Sequence, residues 1–386
     1  MRVTMMVRCL AMMRGGGETR HLAWMRELKA LGVDVDVITG GPLVFGRPRH
    51  PVNDVPATIL RSPYTRDAVY RWQNRRGFGR ITMTALHLDE EWFCRAAWRE
   101  IESRPQKPDV VHAHALYQAA RLRRCDIPVV INFPGAPHQR YADDIRQADA
   151  LIADGWAADH LPAMLGQPVQ RVPKGVDAAL FQAEGLDMRR ELKLEEKRVV
   201  LAVGRLVPLK NVRLLLDAMR RLVADVPAAH LLLVGEGPER APLERYAHEL
   251  GISGSVTFAG YVAQEKTPAF YRTADVFALT SDFDNSPNVV LEAMASRLPI
   301  VSTDVGGMRD FVADGQGGSL VPPRDAAAVA AALRDWLSSD VRRNQAGDYN
   351  RRVVLERFSW RASATRLLEV YRNAIAARAH EARATA

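Results

Sequence analysis

Residues Ser281 to Ala295 read SDFDNSPNVVLEAMA, acidic and turn residues running into a helix of small and apolar ones. Asp284 and Glu292 stand eight residues apart in it, two carboxylates able to accept hydrogen bonds from hydroxyl groups. Ser286 is a good helix cap and Pro287 suits the first helical position, so the N–H groups of Asn288, Val289 and Val290 are expected to point out of the helix start. Such an end attracts phosphate. Glu292 falls about a turn and a half further in, at roughly 3.6 residues per turn, where it can accept two bonds from a diol such as a ribose offers. Asp284, in the loop, would reach a part of the ligand beyond the phosphates. Arg205 and Lys210 follow the apolar run VVLAV, and two fixed cations beside glycines can neutralise a diphosphate. Taken singly, each residue also fits an ordinary surface charge, helix residue or turn former.

These residues need a scaffold that gathers them. Gly235 and Gly237 follow HLLLV, and Gly306 and Gly307 follow PIVSTDV, so four successive strand-like runs end in loops that carry the candidates. Short β-branched runs alternating with helical patterns are the signature of parallel strands joined by helices, whose ligands gather at the carboxyl ends of the strands. The first half alternates in the same way, from VTMMV through VDVDVITG, DVVHAHAL, VVINF and DALIADG. A charged stretch with Pro173 and Gly175 separates the halves and reads as a linker. The expected fold class is α/β, with an N-terminal Rossmann-like domain over 1–175, a linker over 176–195 and a second doubly wound domain over 196–359. The tail from FSW onward is one long helix pattern with Leu367, Leu368, Val370 and Tyr371 as its apolar stripe.

The whole chain sets bounds on partners. Its 386 residues suit two domains. Three cysteines without CxxC spacing suggest neither a disulfide framework nor a zinc site, and HxH at His112 and His114 is a poor metal signal. There is no run of eighteen apolar residues, and the start lacks a signal-peptide pattern, so a cytoplasmic protein is expected. A net charge of +8 and a pI near 9.6 favour an anionic partner: a phosphorylated small molecule, a membrane surface or nucleic acid. Residues Arg66 to Arg80 interleave arginines with Tyr70, Trp72 and Phe78, a pattern that suits an anionic bilayer, single-stranded nucleic acid or a solvated face. GGGETR does not fit the G-x-G-x-x-G of a nicotinamide site.

Eight stretches in order carry a resemblance: GGGETRHLAWMRELKALG, VPKGVDAALF, VGRLVPLKN, LLLVGEGP, VTFAGYV, the D-x7-E stretch ending LEAMA, PIVSTDVGG and the final FSW. Together they resemble the retaining glycosyltransferases of family 4, over nearly the full length. The resemblance implies a GT-B fold, two facing Rossmann-like domains with a donor cleft, and a last helix at about 360–386 that returns to the N-terminal domain. It implies transfer of a sugar from a nucleoside diphosphate, UDP or GDP, to an acceptor hydroxyl in cell-envelope glycan, glycolipid or natural-product synthesis, with no cofactor and no metal. The alternatives are a nucleotide-sugar epimerase of the same fold or a basic nucleic-acid- or membrane-binding protein. Arg205 and Lys210 are then assigned to the donor diphosphate, Asp284 to the transferred sugar and Glu292 to the ribose, with Gly16, Gly17, Gly235, Asn288 and Val289 along the donor. Asp284 stands where most members have Glu, and Pro134 where many have a histidine, which leaves Asn132 and His138 as candidates on the acceptor or sugar side. The acceptor itself is not specified; nucleic acid is not expected, and an anionic membrane surface would meet residues 66–80.

Overall fold

The computed structural model describes residues 1–11, 16–41, 52, 55–61 and 79–385. They form two compact units, one of Met1–Pro173 with Trp360–Ala386 and one of Lys174–Ser359. The first contains β1 (Arg2–Met6), α1 (Gly16–Ala30), β2 (Asp34–Gly41), β3 (Ala57–Arg61), α2 (Gly79–Ser103), β4 (Val110–His114), β5 (Val129–Phe133), β6 (Ala150–Ala153), α3 (Gly155–Leu165) and β7 (Gln170–Arg171). The strands pair in parallel in the order β3-β2-β1-β4-β5-β6-β7. VVINF and ALIA are buried along their whole length, as parallel strands covered on both faces require. The last helix, Trp360–Thr385, lays Ala364, Leu367, Leu368 and Tyr371 against Trp24, Met25 and Leu28 of α1, and the Trp24 indole donates to the Ser363 hydroxyl at 2.7 Å.

The second unit contains β8 (Arg198–Val203), α4 (Val212–Asp225), β9 (Ala229–Val234), α5 (Arg240–Glu249), β10 (Val256–Gly260), α6 (Thr267–Thr273), β11 (Val276–Leu279), α7 (Asn288–Ala295), β12 (Ile300–Thr303), β13 (Gly318–Val321), α8 (Ala326–Leu337) and α9 (Asp340–Arg357). Its six strands are parallel in the order β10-β9-β8-β11-β12-β13. Both sheets therefore reverse their winding beside their first strand, and ligands of doubly wound sheets bind at that switch point, past the carboxyl ends of the strands. In the second unit it lies between β8 and β11, the strands that lead into Arg205 and Asp284.

Two expectations change. The stretch at 176–195 is not a linker: Val176, Phe181 and Leu194 are buried in the core of the second unit with Phe277, Leu291 and Phe358, and the division between the units falls after Pro173. Its charges masked a spaced set of apolar residues that bury against the sheet. Of the basic aromatic segment 66–80, residues 66–78 lie outside the described residues, and Gly79 and Arg80 open α2. No helix among the described residues is long and apolar enough to cross a membrane.

Candidate active site

In the second unit, four loops are tied into one edge. After β8 the chain passes Arg205 and makes a short turn at Pro208–Lys210, and Asn211, with φ at 45°, caps α4 by accepting from Leu214 N–H. After β11 it runs through Ser281 to Pro287. Asp282 N–H donates to the Leu209 carbonyl at 2.9 Å, the Asn211 amide to Asp282 Oδ1 at 3.0 Å, and the Thr280 hydroxyl to the Asn211 carbonyl at 3.1 Å. Lys210 Nζ lies 2.7 Å from Asp284 Oδ2. The loop after β12 supports Asp284 from its other side: Gly307 N–H donates to the Asp284 carbonyl at 3.0 Å, and Gly306 packs so tightly on that carbonyl, at φ 56°, that a Cβ would overlap it. After β9, Gly235 rests its backbone on Gly204 just before Arg205.

Lys210 and Asp284 thus neutralise each other, and Arg205 is left exposed with no ion pair among the described residues. A third cation joins them: Lys174 Nζ donates to the Ser286 carbonyl at 2.6 Å, immediately before α7. The helix begins one residue later than its sequence suggests. Pro287, at ψ 122°, is the cap rather than the first helical residue, and the buried Ser286 hydroxyl makes no capping bond. Val290 N–H turns back to the Pro287 carbonyl at 3.3 Å, so Asn288 and Val289 supply the N–H groups that the helix does not use. Ser281 Oγ, Ser286 Oγ and Asn288 Oδ1 are buried without a hydrogen-bond partner in this loop, polar atoms of the kind that ligands or water satisfy. Glu292, half-buried on α7, accepts from the Tyr271 hydroxyl at 2.7 Å. Burial raises its pKa, and the Tyr271 bond opposes that rise.

The first unit presents a second constellation, at the switch point between β1 and β4. Gly16 and Gly17 form the first turn of α1 rather than a loop ahead of it, and a Cβ on Gly17 would stand 2.6 Å from His114 Nε2. His114, at the end of β4, meets Asn132 across the sheet, with Nδ1 and Oδ1 at 2.9 Å. Ala115, the next residue, holds a left-handed φ of 48°. His138 caps a short turn, accepting from Arg140 N–H at 3.2 Å through Nδ1, and is exposed; its place is that of a capping residue.

Sequence reading missed His21. Its Nδ1 lies 2.7 Å from the Gly17 carbonyl, its Nε2 lies 3.1 Å from His112 Nε2, and His112 Nδ1 lies 2.7 Å from the Tyr371 hydroxyl. A carbonyl only accepts, so His21 Nδ1 donates; its Nε2 then accepts from His112 Nε2–H, and Tyr371 donates to His112 Nδ1, tautomers assigned from the network. This sequence needs both rings neutral. Burial supplies that condition, with help from His114, lowering His21 well below its usual value and His112 to about 3. The chain of bonds ties the glycine turn to the last helix. No group of three or more His, Cys, Asp or Glu among the described residues is arranged to hold a metal ion.

Comparison with known proteins places these features. The family described as glycosyl transferases group 1 matches residues 185–353, and the glycosyl transferase 4-like domain matches residues 15–172. A D-inositol 3-phosphate glycosyltransferase of Acidothermus cellulolyticus is 30% identical over 94% of this chain and 87% of its own length. A GDP-mannose-dependent alpha-(1-6)-phosphatidylinositol monomannoside mannosyltransferase of Mycolicibacterium smegmatis is 32% identical over 52% of this chain, a match that spans 56% of that enzyme. Among solved structures, Anabaena HepE in complex with UDP aligns with a TM-score of 0.74 over 96% of this chain and 99% of its own, at 18% identity, which shows the shared fold.

Proposed function

This chain belongs to the glycosyl transferases group 1 family and is a glycosyltransferase of GT-B fold, and from that premise we propose that it moves a sugar from a nucleoside-diphosphate sugar to an acceptor hydroxyl with retention at the anomeric carbon. The observation that carries the reading is the bonded edge in which the loop after β8, with Arg205 and Lys210, is tied through Asp282 and Asp284 to the loop that leads into α7 and Glu292. In the proposed reaction the bond from the anomeric carbon to the diphosphate oxygen breaks. The acceptor oxygen bonds to that carbon on the same face, and its proton passes to the departing diphosphate, so the protein supplies no nucleophile. Arg205, Lys210 and the N–H groups of Asn288 and Val289 meet the charge that develops on the leaving group, electrostatic stabilisation by groups already in place. Glu292 accepts from the ribose hydroxyls and Asp284 from hydroxyls of the sugar. The ion pair with Lys210 fixes the direction of Asp284 and brings the cation that faces the phosphates alongside the group that faces the sugar. With these cations as countercharge, the reading requires no metal and no cofactor.

Support for the donor class comes from the UDP bound by the Anabaena protein and from the GDP-mannose dependence of the mycobacterial relative. The phosphatidylinositol monomannoside and inositol phosphate in the relatives' names favour a cell-envelope or phosphorylated polyol acceptor. The test is incubation with UDP- and GDP-linked sugars after a thermal-shift screen, since a bound ligand raises the melting temperature according to its concentration over Kd. The expected result is stabilisation by one nucleotide sugar and a product whose anomeric configuration equals that of the donor. Inversion, or an epimerised donor formed without acceptor, would contradict the reading.

A further inference from the structure

Tyr271 lies on α6 with its ring fully buried between Phe181, edge-on at 5.5 Å, and Phe277, stacked at 6.0 Å. Its hydroxyl reaches two acceptors on α7: Glu292 Oε2 at 2.7 Å and the Val289 carbonyl at 3.4 Å. One hydroxyl carries one proton, and the shorter, charge-assisted bond to the carboxylate takes it. We propose that Tyr271 is a positioning residue: it fixes the rotamer of Glu292 by occupying Oε2 and reserves Oε1 for the ribose diol of the donor. The proposal rests on the assignment of Glu292 to the ribose made above. The ring contacts explain how a single hydroxyl can direct the carboxylate, because the phenol is clamped by packing and has no freedom to follow Glu292 elsewhere.

Two opposed effects act on Glu292, burial raising its pKa and the Tyr271 bond lowering it. Among the described residues, the charged groups hydrogen-bonded to the backbone of α7 and its approach are Lys174, on the Ser286 carbonyl, and Arg351, which donates to the Ala295 carbonyl at the far end; the bond on Glu292 itself is that of Tyr271. Without the hydroxyl, burial acts unopposed, so the carboxylate takes up its proton at a higher pH and loses acceptor capacity for the ribose.

The test uses the full chain with Tyr271→Phe, which keeps the ring, and titrates bare UDP and GDP by calorimetry between about pH 5 and pH 8. Expected is a loss of affinity of about tenfold at the acid end of that range, a smaller loss at its alkaline end, and an acid limb displaced to higher pH than in the parent protein. An equal loss at every pH, or no loss, would overturn the proposal, since a merely structural tyrosine moves no titration. Glu292→Ala in parallel separates the two readings: if it binds nucleotide like the parent, the ribose assignment itself falls, whereas a weakened Glu292→Ala beside an unchanged Tyr271→Phe sinks the role of Tyr271 alone. Should Tyr271→Phe not fold, the parent protein suffices. On the acid limb of the parent's own titration, wherever it falls, binding then releases a proton that Glu292→Gln does not release, and its absence in the parent would count against the proposal.

Discussion

Lys210 is held by two demands, a 2.7 Å bond to Asp284 and, in the proposed reaction, the diphosphate. Replacing it with Met keeps much of the stem but removes both, so Lys210→Met is expected to lower kcat/KM by about 100-fold or more, the scale for losing one stabilising group at a developing charge. Steady-state kinetics with the donor found in the screen would check it; a change below about threefold would assign the phosphates to other groups. As candidates, Arg205, Lys210, Asp284 and Glu292 were legible in the sequence, marked by residue type and their places after strand-like runs. Lys174 and Tyr271 were not, because their roles come from contacts 112 and 21 residues away along the chain. A lysine in VPKGV and a tyrosine in a helical pattern give no local sign of what they touch. His21 was hidden for the same reason: its partners His112 and Tyr371 come from β4 and the last helix.

At the scale of elements, the site depends on how loops close on one another. The left-handed Gly306 and its contact with the Asp284 carbonyl let the loop after β12 brace the loop after β11. Gly306→Ala meets both a disfavoured φ and an overlap with backbone, and is expected to destabilise the protein by about 2 kcal/mol and to cost activity beyond what the lost stability explains. Urea unfolding with activity measured on the folded fraction would check it, and full activity per folded molecule would remove the bracing role. The start of α7 shows why helix ends are hard to read from sequence. Ser286 and Pro287 carry the right types for a cap and a first turn, yet Lys174 holds the Ser286 carbonyl and Pro287 stays extended, so the frame moves by one residue. The extra residue leaves Asn288 and Val289, rather than three successive residues, with N–H groups that the helix does not use.

For the molecule as a whole, alternation of apolar runs and helical patterns was enough to expect two doubly wound units, because continuously buried strands such as VVINF and HLLLV are written in one stretch of chain each. The boundary was less legible: the charged residues around Phe181 and Leu194 concealed a segment that packs on the second unit. β3 and α2 were passed over inside a basic and aromatic region whose composition outweighed its periodicity. Buried ionisable groups tie global stability to pH. Glu90 on α2 accepts from Gln118 N–H at 3.0 Å, and burial raises its pKa to about 7 from 4.5. Its contribution is fully present below the unfolded value and is lost as pH rises through about 4.5 to 7. His21 and His112 act in the opposite sense, with stability present above 6.5 and lost as pH falls. The urea midpoint of Glu90→Gln, relative to the parent, should therefore climb across the Glu90 window and level off above it. A difference constant with pH would show that Glu90 ionises in the folded state as it does in water.

The central claim is that one stretch, Ser281 to Ala295, divides a nucleotide sugar between its two carboxylates. The most direct measurement is calorimetric binding of the bare nucleoside diphosphate to Glu292→Ala and Asp284→Ala, each followed by a transfer assay with the full donor. The account predicts that Glu292→Ala binds the nucleotide about tenfold or more weakly, the scale for losing hydrogen bonds to a charged group, whereas Asp284→Ala binds it nearly as the parent does and fails in transfer. Unchanged nucleotide affinity in Glu292→Ala, or equal losses of affinity in both variants, would contradict it.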